Sequence, residues 1–306
     1  MRFRGTVSRS DYWLAKFSKL RVDRARGDPA PHKPLLLLAL CDLAESGDLR
    51  DVLPLSPEFA FRFYTYWNIV AGRRAQRPDI RLPFHHLSGD GIWSALDDRG
   101  EPSPDKKLTK CARLPSDLIA FLEDPANRDK ARHLLIAKYF RPSEQIALYE
   151  MIGLPVPSRQ EIEANAAYKS PEEARMAGRE ARFRVRVVTA YNYTCALTGY
   201  RLTTITAGSI VDAAHIHEFR DSRNNDPRNG IALSKNAHWT FDQGLWTIAD
   251  DYRIIIAVGQ FAEAGPTEDS LLASCHGRRL HLPEDKTLWP DPIHLGWHRK
   301  ARFKAA

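Results

Sequence analysis

The spacing of apolar residues in the first half of the chain predicts mainly helices. Residues 34–44 form a nearly continuous apolar run that starts with Pro34, a residue suited to a first helical turn, and Gly47 is expected to end that helix. Apolar and aromatic residues predict further helices at residues 57–67, 115–122, 129–139 and 143–151. Residues 80–87 and 91–96, around the turn at 88–91, are candidate strands. The pattern predicts a mostly helical first domain with a small sheet.

A different pattern follows in the second half, where short strands alternate with turns. Residues 209–216 are apolar or small and predict a strand, residues 226–230 predict a turn, and residues 231–233 predict a second strand. Ser234 is a candidate N-cap for a helix that begins near Asn236. The order strand, loop, strand, helix is expected here, followed by a hairpin at residues 246–258.

Prolines and charges mark the boundary between the two halves. Residues 153–157 contain prolines that break structure, and residues 159–186 are strongly charged and helix-prone. We therefore expect an N-terminal domain at residues 1–155, a basic helical linker at 156–190 and a C-terminal domain at 191–306. At 306 residues the chain is long enough for two cores. The predicted fold class is α+β.

Composition narrows the class of partner and the compartment. The formal charge of +7 and the pI near 9.2 favour an anionic partner such as nucleic acid. The four cysteines lie far apart, without the spacing of a metal or redox site, which is typical of reduced thiols. The first residues lack an apolar signal core, and the apolar run at 35–40 is too short to cross a bilayer. A cytoplasmic location is expected.

Three polar residues of the second half carry the candidate chemistry: His215, Asn229 and His238. Hydrolysis of a phosphodiester needs a base that deprotonates water and a cation that stabilises the developing charge. A neutral histidine suits the first task, which we assign to His215, with His217 as the alternative base. His238 and Asp242 stand four apart on one helical face and can ligate one divalent cation. Asn229 is expected to tie the loop together and to hold the His215 ring.

These three residues resemble the signature of the HNH endonucleases, whose site is a ββα-metal finger. The resemblance covers about residues 193–248 and extends to the neighbouring motifs at 213–216, 229–233 and 241–245. Many HNH sites carry a metal-ligating Asp or His directly before the base, where this chain has Ala214. Asp242 is expected to supply the missing ligand, with Asp212 as the other nearby carboxylate. No structural zinc is expected, because Cys195 lacks the paired Cys-x-x-Cys motifs of many relatives.

Two basic segments flank the predicted finger. The first contains Arg175, Arg179, Arg182, Arg184 and Arg186, several of which share a helical face. It is either a solvated helix surface or an arm that grips DNA phosphates, and in the second case Arg182, Arg184 and Arg186 are the backbone contacts. The second, at residues 297–304, either contacts phosphate or aids solubility.

Three separated motifs of the first half, at residues 30–38, 82–93 and 138–142, together resemble the sulfur-binding domain of phosphorothioate-dependent, McrA-like restriction endonucleases. The resemblance covers about residues 10–154. Sulfur in place of a phosphate oxygen is larger, softer and less well hydrated, so it favours an apolar cup ringed by donors. The resemblance assigns the cup to Tyr139, Phe140 and Pro142, and the donors to Arg81, His85 and His86. It also makes Lys33 a contact to a neighbouring phosphate.

Together, the two resemblances imply a type IV, modification-dependent restriction endonuclease. Its N-terminal domain would read phosphorothioated double-stranded DNA, and its HNH domain would cut with Mg²⁺ or Mn²⁺. Symmetric cleavage of both strands favours a homodimer. The alternatives are an HNH endonuclease that reads methylated bases by flipping them into an aromatic pocket, and a non-catalytic DNA-binding regulator with a degenerate finger, in keeping with Ala214.

Overall fold

A computed structural model describes residues 9–24, 27–73, 78–157, 171–265, 267 and 272–304. The chain divides into two compact units. Unit 1 contains residues 1–181 and 204–208, and unit 2 contains residues 182–203 and 209–306. Helices and small antiparallel sheets make the fold α+β, as predicted. None of the described helices is long and apolar enough to span a membrane.

Helices dominate the described part of unit 1. They are α1 (Arg9–Phe17), α2 (His32–Glu45), α3 (Pro57–Val70), α4 (Arg81–His86), α5 (Ser116–Glu123), α6 (Pro125–Tyr139) and α7 (Pro142–Ile152). Three short strands, β1 (Val52–Pro54), β2 (Ser94–Leu96) and β3 (Cys111–Arg113), form an antiparallel sheet in the order β1-β3-β2. The predicted small sheet is confirmed, with the strand expected at 91–96 shortened to its last three residues.

The core of unit 1 forms around α2, which is buried on nearly every side. Its leucines at positions 35–38 and 40 are at most 1% exposed, which explains why its sequence is apolar rather than amphipathic. Pro34 lies in the first turn and Gly47, with φ +74°, follows the end of the helix, as predicted. The helices expected at 57–67, 115–122, 129–139 and 143–151 are confirmed as α3, α5, α6 and α7.

The strand predicted at residues 80–87 is wrong, because this segment forms α4 (Arg81–His86). The buried residues are Ile80, Pro83, Phe84 and Leu87. Their spacing of three and four is helical rather than alternating, and a proline within the first turn is compatible with a helix. The helical spacing of the apolar residues is present in the sequence, but a segment of eight residues is too short to distinguish it clearly from the alternation of a strand.

Unit 2 contains the predicted order strand, loop, strand, helix. Its elements are β6 (Val211–His215), α9 (Phe219–Ser222), β7 (Gly230–Ser234), α10 (Lys235–Asp242), β8 (Trp246–Ile248), β9 (Ile254–Ile256) and α11 (Pro292–Ala301). The helix α8 (Pro171–Ala190) enters it from unit 1, and β4 (Thr203–Thr204) pairs with β5 (Gly208–Ser209) at the boundary. The helical prediction for 159–170 lies outside the described residues. The hairpin expected at 246–258 is confirmed by the antiparallel pair β8 and β9.

The hairpin of β6 and β7 packs closely against the end of α8. In the antiparallel register His215 lies opposite Gly230 and Ala213 opposite Ala232. A Cβ at Gly230 would come within 2.5 Å of Val187 Cγ2 and 2.7 Å of Phe183 Cζ. The glycine of the Asn229-Gly230 pair is therefore required by the close approach of α8, not by an unusual backbone angle.

The C-terminal helix α11 is fixed to α10 and β8 by His298. This histidine is 2% exposed, and its ring stacks on Phe241 with 3.8 Å between the ring centroids. Its Nδ1 lies 2.8 Å from Thr247 Oγ1 and its Nε2 3.3 Å from the Phe241 carbonyl oxygen. Burial lowers the pKa of His298 to about 4, so the folded protein holds the ring neutral.

This lowered pKa predicts a loss of stability in mild acid. The unfolded chain takes up a proton near pH 6.5 and the folded chain near pH 4, so the free energy of unfolding falls as the pH drops between these values. The difference of the two pKa values corresponds to roughly 3 kcal/mol for this one group. His298→Gln should lose less stability than the wild type between pH 7 and pH 4, as measured by urea unfolding. Identical pH dependence in the two proteins would contradict the assignment.

Candidate active site

One cavity of unit 2 brings together three of the predicted site residues, His215, His238 and Asp242, but not Asn229. It has a volume of about 520 Å³ and opens to solvent. It is lined by Ala213, His215, Glu218, Phe219, Arg220, His238, Asp242, Gln243 and Arg302. The end of β6, the start of α9 and the face of α10 thus converge with the end of the C-terminal segment.

The ring of His215 is held on two sides. It stacks on Phe183 with the centroids 3.9 Å apart and the planes within 8°, and its Nε2 lies 2.8 Å from Asn225 Oδ1. Because an amide oxygen only accepts, Nε2 carries the hydrogen, which leaves the lone pair of a neutral ring on Nδ1. Burial lowers the pKa of His215, opposed by the hydrogen bond to Asn225, while the nearby His238 lowers it further. The ring is therefore neutral at pH 7 and able to accept a proton.

Asn229 does not hold the His215 ring, and this part of the prediction is wrong. It is fully buried, and its side chain accepts a hydrogen bond from the His217 amide and donates to the carbonyls of His217 and Asn224. It therefore ties the loop between β6 and β7 together, as expected. The contact to the His215 ring belongs to Asn225 in that same loop.

His238 and Asp242 meet on the exposed face of α10. His238 Nε2 lies 3.5 Å from Asp242 Oδ2, one helical turn away. Burial raises the pKa of the Asp242 carboxyl, and the imidazole of His238 opposes this rise. An imidazole nitrogen beside a carboxylate is a donor set that suits a divalent cation, which would stabilise the ionised form of Asp242. Among the described residues no group of three or more His, Cys, Asp or Glu side chains is placed to hold a metal.

Asp212 does not line this cavity, contrary to its predicted metal role. On β6 it lies one position out of phase with Ala213 and His215, so its side chain is on the opposite face of the strand. There it pairs with Arg184, whose Nε lies 2.8 Å from Asp212 Oδ1. Arg184 is thus engaged within the protein, while Arg182 and Arg186 are exposed on α8.

The alternative base, His217, lies outside the residues that line the cavity. Its ring stacks on Trp297 with the centroids 4.1 Å apart, and its backbone is held by Asn229. The geometry therefore favours His215 over His217.

Several residues of the site were not predicted from the sequence, among them Asn225, Glu218 and Arg302. Asn225 lies in a loop of polar residues that gives no signal of which amide will meet the ring. Glu218 is three residues beyond His215 and lines the cavity. Arg302 belongs to the basic segment noted at residues 297–304, but its place in the cavity depends on the fold of residues distant in sequence.

A second cavity, in unit 1, contains two of the residues assigned to the reading of DNA. It has a volume of about 250 Å³ and is lined by Arg21, Val22, Asp23, Ala30, His32, Lys33, Leu82, Pro83 and His86. Lys33 Nζ lies 2.6 Å from Asp90 Oδ2 and donates to the Arg21 carbonyl, while Asp90 also accepts from the Arg21 amide. Burial lowers the pKa of His86. The cavity thus combines an apolar wall with cationic and imidazole groups and the carboxylate of Asp23.

The structure does not place the other predicted sulfur contacts in this cavity. Tyr139 is 2% exposed and its hydroxyl donates to the Phe17 carbonyl, while Phe140 is 5% exposed, so both belong to the core. Pro142 begins α7. Two further residues are engaged by their neighbours, since Arg81 pairs with Asp79 at 2.8 Å and His85 Nδ1 lies 2.8 Å from Thr109 Oγ1.

The contact between Asn225 and His215 predicts the direction of two pKa changes. Asn225→Ala removes a hydrogen bond that raises the His215 pKa, so that pKa should fall below its wild-type value. Asn225→Asp places a negative charge beside the ring, and the pKa should rise. NMR titration of the imidazole carbon-bound protons measures both. A wild-type His215 that titrates at or above 6.5, or two variants without effect, would show that the ring is not held as described.

Comparison with known proteins identifies the family of one part of the chain. The model of the HNH endonuclease family matches residues 195–249, which include β6, β7, α10 and β8. No curated protein matches the chain.

Solved structures show low similarity. The chain is 21% identical to the sulfur-binding domain of SprMcrA complexed with phosphorothioated DNA, with a TM-score of 0.39 over 48% of this chain and 95% of that one. It is 16% identical to the type IV phosphorothioation-dependent restriction endonuclease ScoMcrA, with a TM-score of 0.30 over 74% and 94%. For the modification-dependent TagI restriction endonuclease the identity is 19% and the TM-score 0.30, and the match spans 39% of this chain and 37% of that one. The family match identifies residues 195–249 as an HNH endonuclease domain.

Proposed function

We propose that the protein, which carries this HNH endonuclease domain, is a restriction endonuclease that recognises phosphorothioated double-stranded DNA and hydrolyses it through a one-metal site. The observation that carries the hydrolytic part is the convergence of His215, His238 and Asp242 on one cavity. The residues that line the cavity of unit 1 support the recognition of sulfur.

In this proposal His215 is the general base. Its Nδ1 takes a proton from the attacking water, and Asn225 and Phe183 keep the ring in the orientation that this transfer needs. The lowered pKa keeps the base unprotonated at pH 7. Since the loss of rate in acid follows protonation of this ring, the acid limb of the pH profile is expected below 6.5.

His238 and Asp242 are the residues proposed to hold the divalent cation, Mg²⁺ or Mn²⁺. When bound, such a cation neutralises charge on the phosphate and on the leaving oxygen. The carboxylate of Asp242 is exposed and one helical turn from His238, so both donors are accessible to a solvated ion.

The cavity of unit 1 has the chemistry that a phosphorothioate requires. Val22, Ala30, Leu82 and Pro83 offer an apolar wall to the poorly hydrated sulfur, and Arg21 and His86 offer donors to the remaining phosphate oxygens. A reader of methylated bases would need an aromatic platform for a flipped base. The residues described along this cavity include no Trp, Tyr or Phe, which favours the phosphorothioate.

Each chain has a single site of this kind in the part that the structure describes, so we propose that two chains act together when both DNA strands are cut. The reaction order in protein concentration, measured on supercoiled phosphorothioated plasmid, tests this pairing. If linear plasmid forms at the same rate per protein chain at all protein concentrations, the proposed pairing of two chains is contradicted.

Replacement of the proposed base should separate binding from cutting. His215→Ala is expected to abolish cleavage of a phosphorothioated plasmid while its affinity for the same DNA stays at the wild-type value. His217→Ala, which removes the other histidine of this strand end, is the matched control and should still cut. Loss of binding together with cleavage in His215→Ala would contradict the assigned role.

Replacement of either proposed metal ligand should weaken metal binding itself. We expect His238→Ala and Asp242→Ala to lower the affinity for Mn²⁺ by about tenfold or more, because loss of the residues that merely orient metal ligands already costs that much. Calorimetry without DNA measures the affinity. His215→Ala should bind Mn²⁺ as the wild type does. Unchanged Mn²⁺ affinity in both ligand variants would place the metal elsewhere.

The proposed contact between sulfur and the apolar wall of the unit 1 cavity is tested by a substitution that keeps the shape of a wall residue and alters its polarity. Val22→Thr exchanges a methyl for a hydroxyl and should lower the ratio of affinities for phosphorothioated and plain duplex by about fivefold, the equivalent of ~1 kcal/mol. Val52→Thr, at a residue that is 40% exposed on β1, is the control and should leave the ratio unchanged. Gel shifts with phosphorothioated, methylated and plain duplexes of one sequence measure it. A wild-type preference for the methylated duplex would favour the alternative reader.

A further inference from the structure

A carboxylate at the mouth of the nuclease cavity is shared between two arginines. Glu218 accepts from Arg302 through Oε1, and its Oε2 lies 2.7 Å from Arg220 Nε. All three side chains line the cavity that contains His215, His238 and Asp242. Glu218 and Arg302 are about one third exposed, whereas Arg220 is largely exposed, so water and a large anion have access to this group.

Arg302 reaches the cavity because the chain that carries it is fixed. Its amide donates to the His298 carbonyl, and His298 is locked between Phe241 and Thr247. Two residues on, the Lys304 amide donates to the Gly244 carbonyl at 3.0 Å. Gly244 has φ +69°, and a Cβ there would come within 2.0 Å of the Arg302 carbonyl oxygen. This glycine permits the C-terminal segment to pass directly beside the end of α10.

The position of Arg302 lies beyond the part of the chain that the HNH family model matches, which ends at residue 249. The cavity therefore contains a cation that the finger itself does not supply. A guanidinium presents a planar fork of donors that fits a carboxylate and a phosphate in the same way. In the structure, that fork is occupied by the carboxylate of Glu218.

We propose that Arg302 binds a phosphate of the DNA strand to be cut, and that Glu218 occupies this anion site until DNA displaces it. The inference rests on the nuclease function proposed above and deepens it. Arg302 contacts the substrate and neutralises its charge beside His215. Glu218 acts through Arg302, since its carboxylate competes with the phosphate for the guanidinium, and Arg220 offers that carboxylate a second partner.

Replacement of Arg302 and replacement of Glu218 are then expected to change the affinity for DNA in opposite directions. Removing the cation removes a phosphate contact, whereas removing the competing carboxylate frees that contact. An ion pair that only stabilises the fold would give losses of the same sign from either side. The signs of the two effects therefore distinguish a phosphate site from a structural bridge.

The test compares Arg302→Gln, Glu218→Gln and the double variant on phosphorothioated and plain duplexes of one sequence. Affinities are measured in a His215→Ala background, so that no DNA is cut, and cleavage is measured in single turnover with His215 present. Arg302→Gln should lower the cleavage rate by about 100-fold, as loss of one preorganised donor to a reacting phosphate does. It should also reduce the salt dependence of binding by about one phosphate contact.

Glu218→Gln should tighten DNA binding by about two- to fivefold, the scale of a partly exposed ion pair, and this gain should vanish in the double variant. Lys300→Gln removes the same charge from an exposed position of α11 and should leave cleavage unchanged. Weaker binding in Glu218→Gln, or equal effects of Arg302→Gln and Lys300→Gln, would overturn the proposal. A wild-type protein that cuts no DNA would instead refute the nuclease function, and the binding data on plain duplex would still decide on Arg302.

Discussion

The candidate active site depends on the hydrogen bonds of one buried amide, that of Asn229. It closes the loop between β6 and β7 by bonding to both backbone groups of His217 and to the carbonyl of Asn224. Buried polar groups that lose such partners are costly, so the loop has one stable arrangement. Asn225, the residue after Asn224, is then placed against the His215 ring. Asn229 thus orients the base indirectly, through the loop it holds.

The second constraint is electrostatic. Burial lowers the pKa of His215 and raises that of Asp242, so the site disfavours both of the corresponding charged forms. A divalent cation between His238 and Asp242 would favour the carboxylate and, by its positive charge, would keep His215 neutral. The demands of a metal ligand and of a general base are therefore compatible within one cavity. The positive charge of Arg302 in the same cavity is balanced by the carboxylate of Glu218.

Site residues that lie close together along the sequence could be predicted to be neighbours, whereas residues brought together only by the fold could not. His215, His238 and Asp242 line one cavity, and the proximity of His238 to Asp242 could be predicted because a helix places residues four apart on one face. Glu218, Asn225 and Arg302 have no such interval to the residues they contact. The alternation of side chains along β6 places Asp212 on the face opposite His215, so its distance from the cavity could be predicted from the sequence.

Two of the predicted sulfur contacts, Tyr139 and Phe140, are instead core residues. Tyr139 and Phe140 stand next to one another at the end of α6, and aromatic residues at such an end can serve either a pocket or the core. The hydroxyl of Tyr139 bonds to the backbone of α1 and of Leu20, and so fixes the segment that leads to Arg21 and Val22. Arg21 and Val22 line the cavity together with His86, whereas Tyr139 does not. Tyr139 therefore supports the proposed DNA-reading site through the backbone that leads into it.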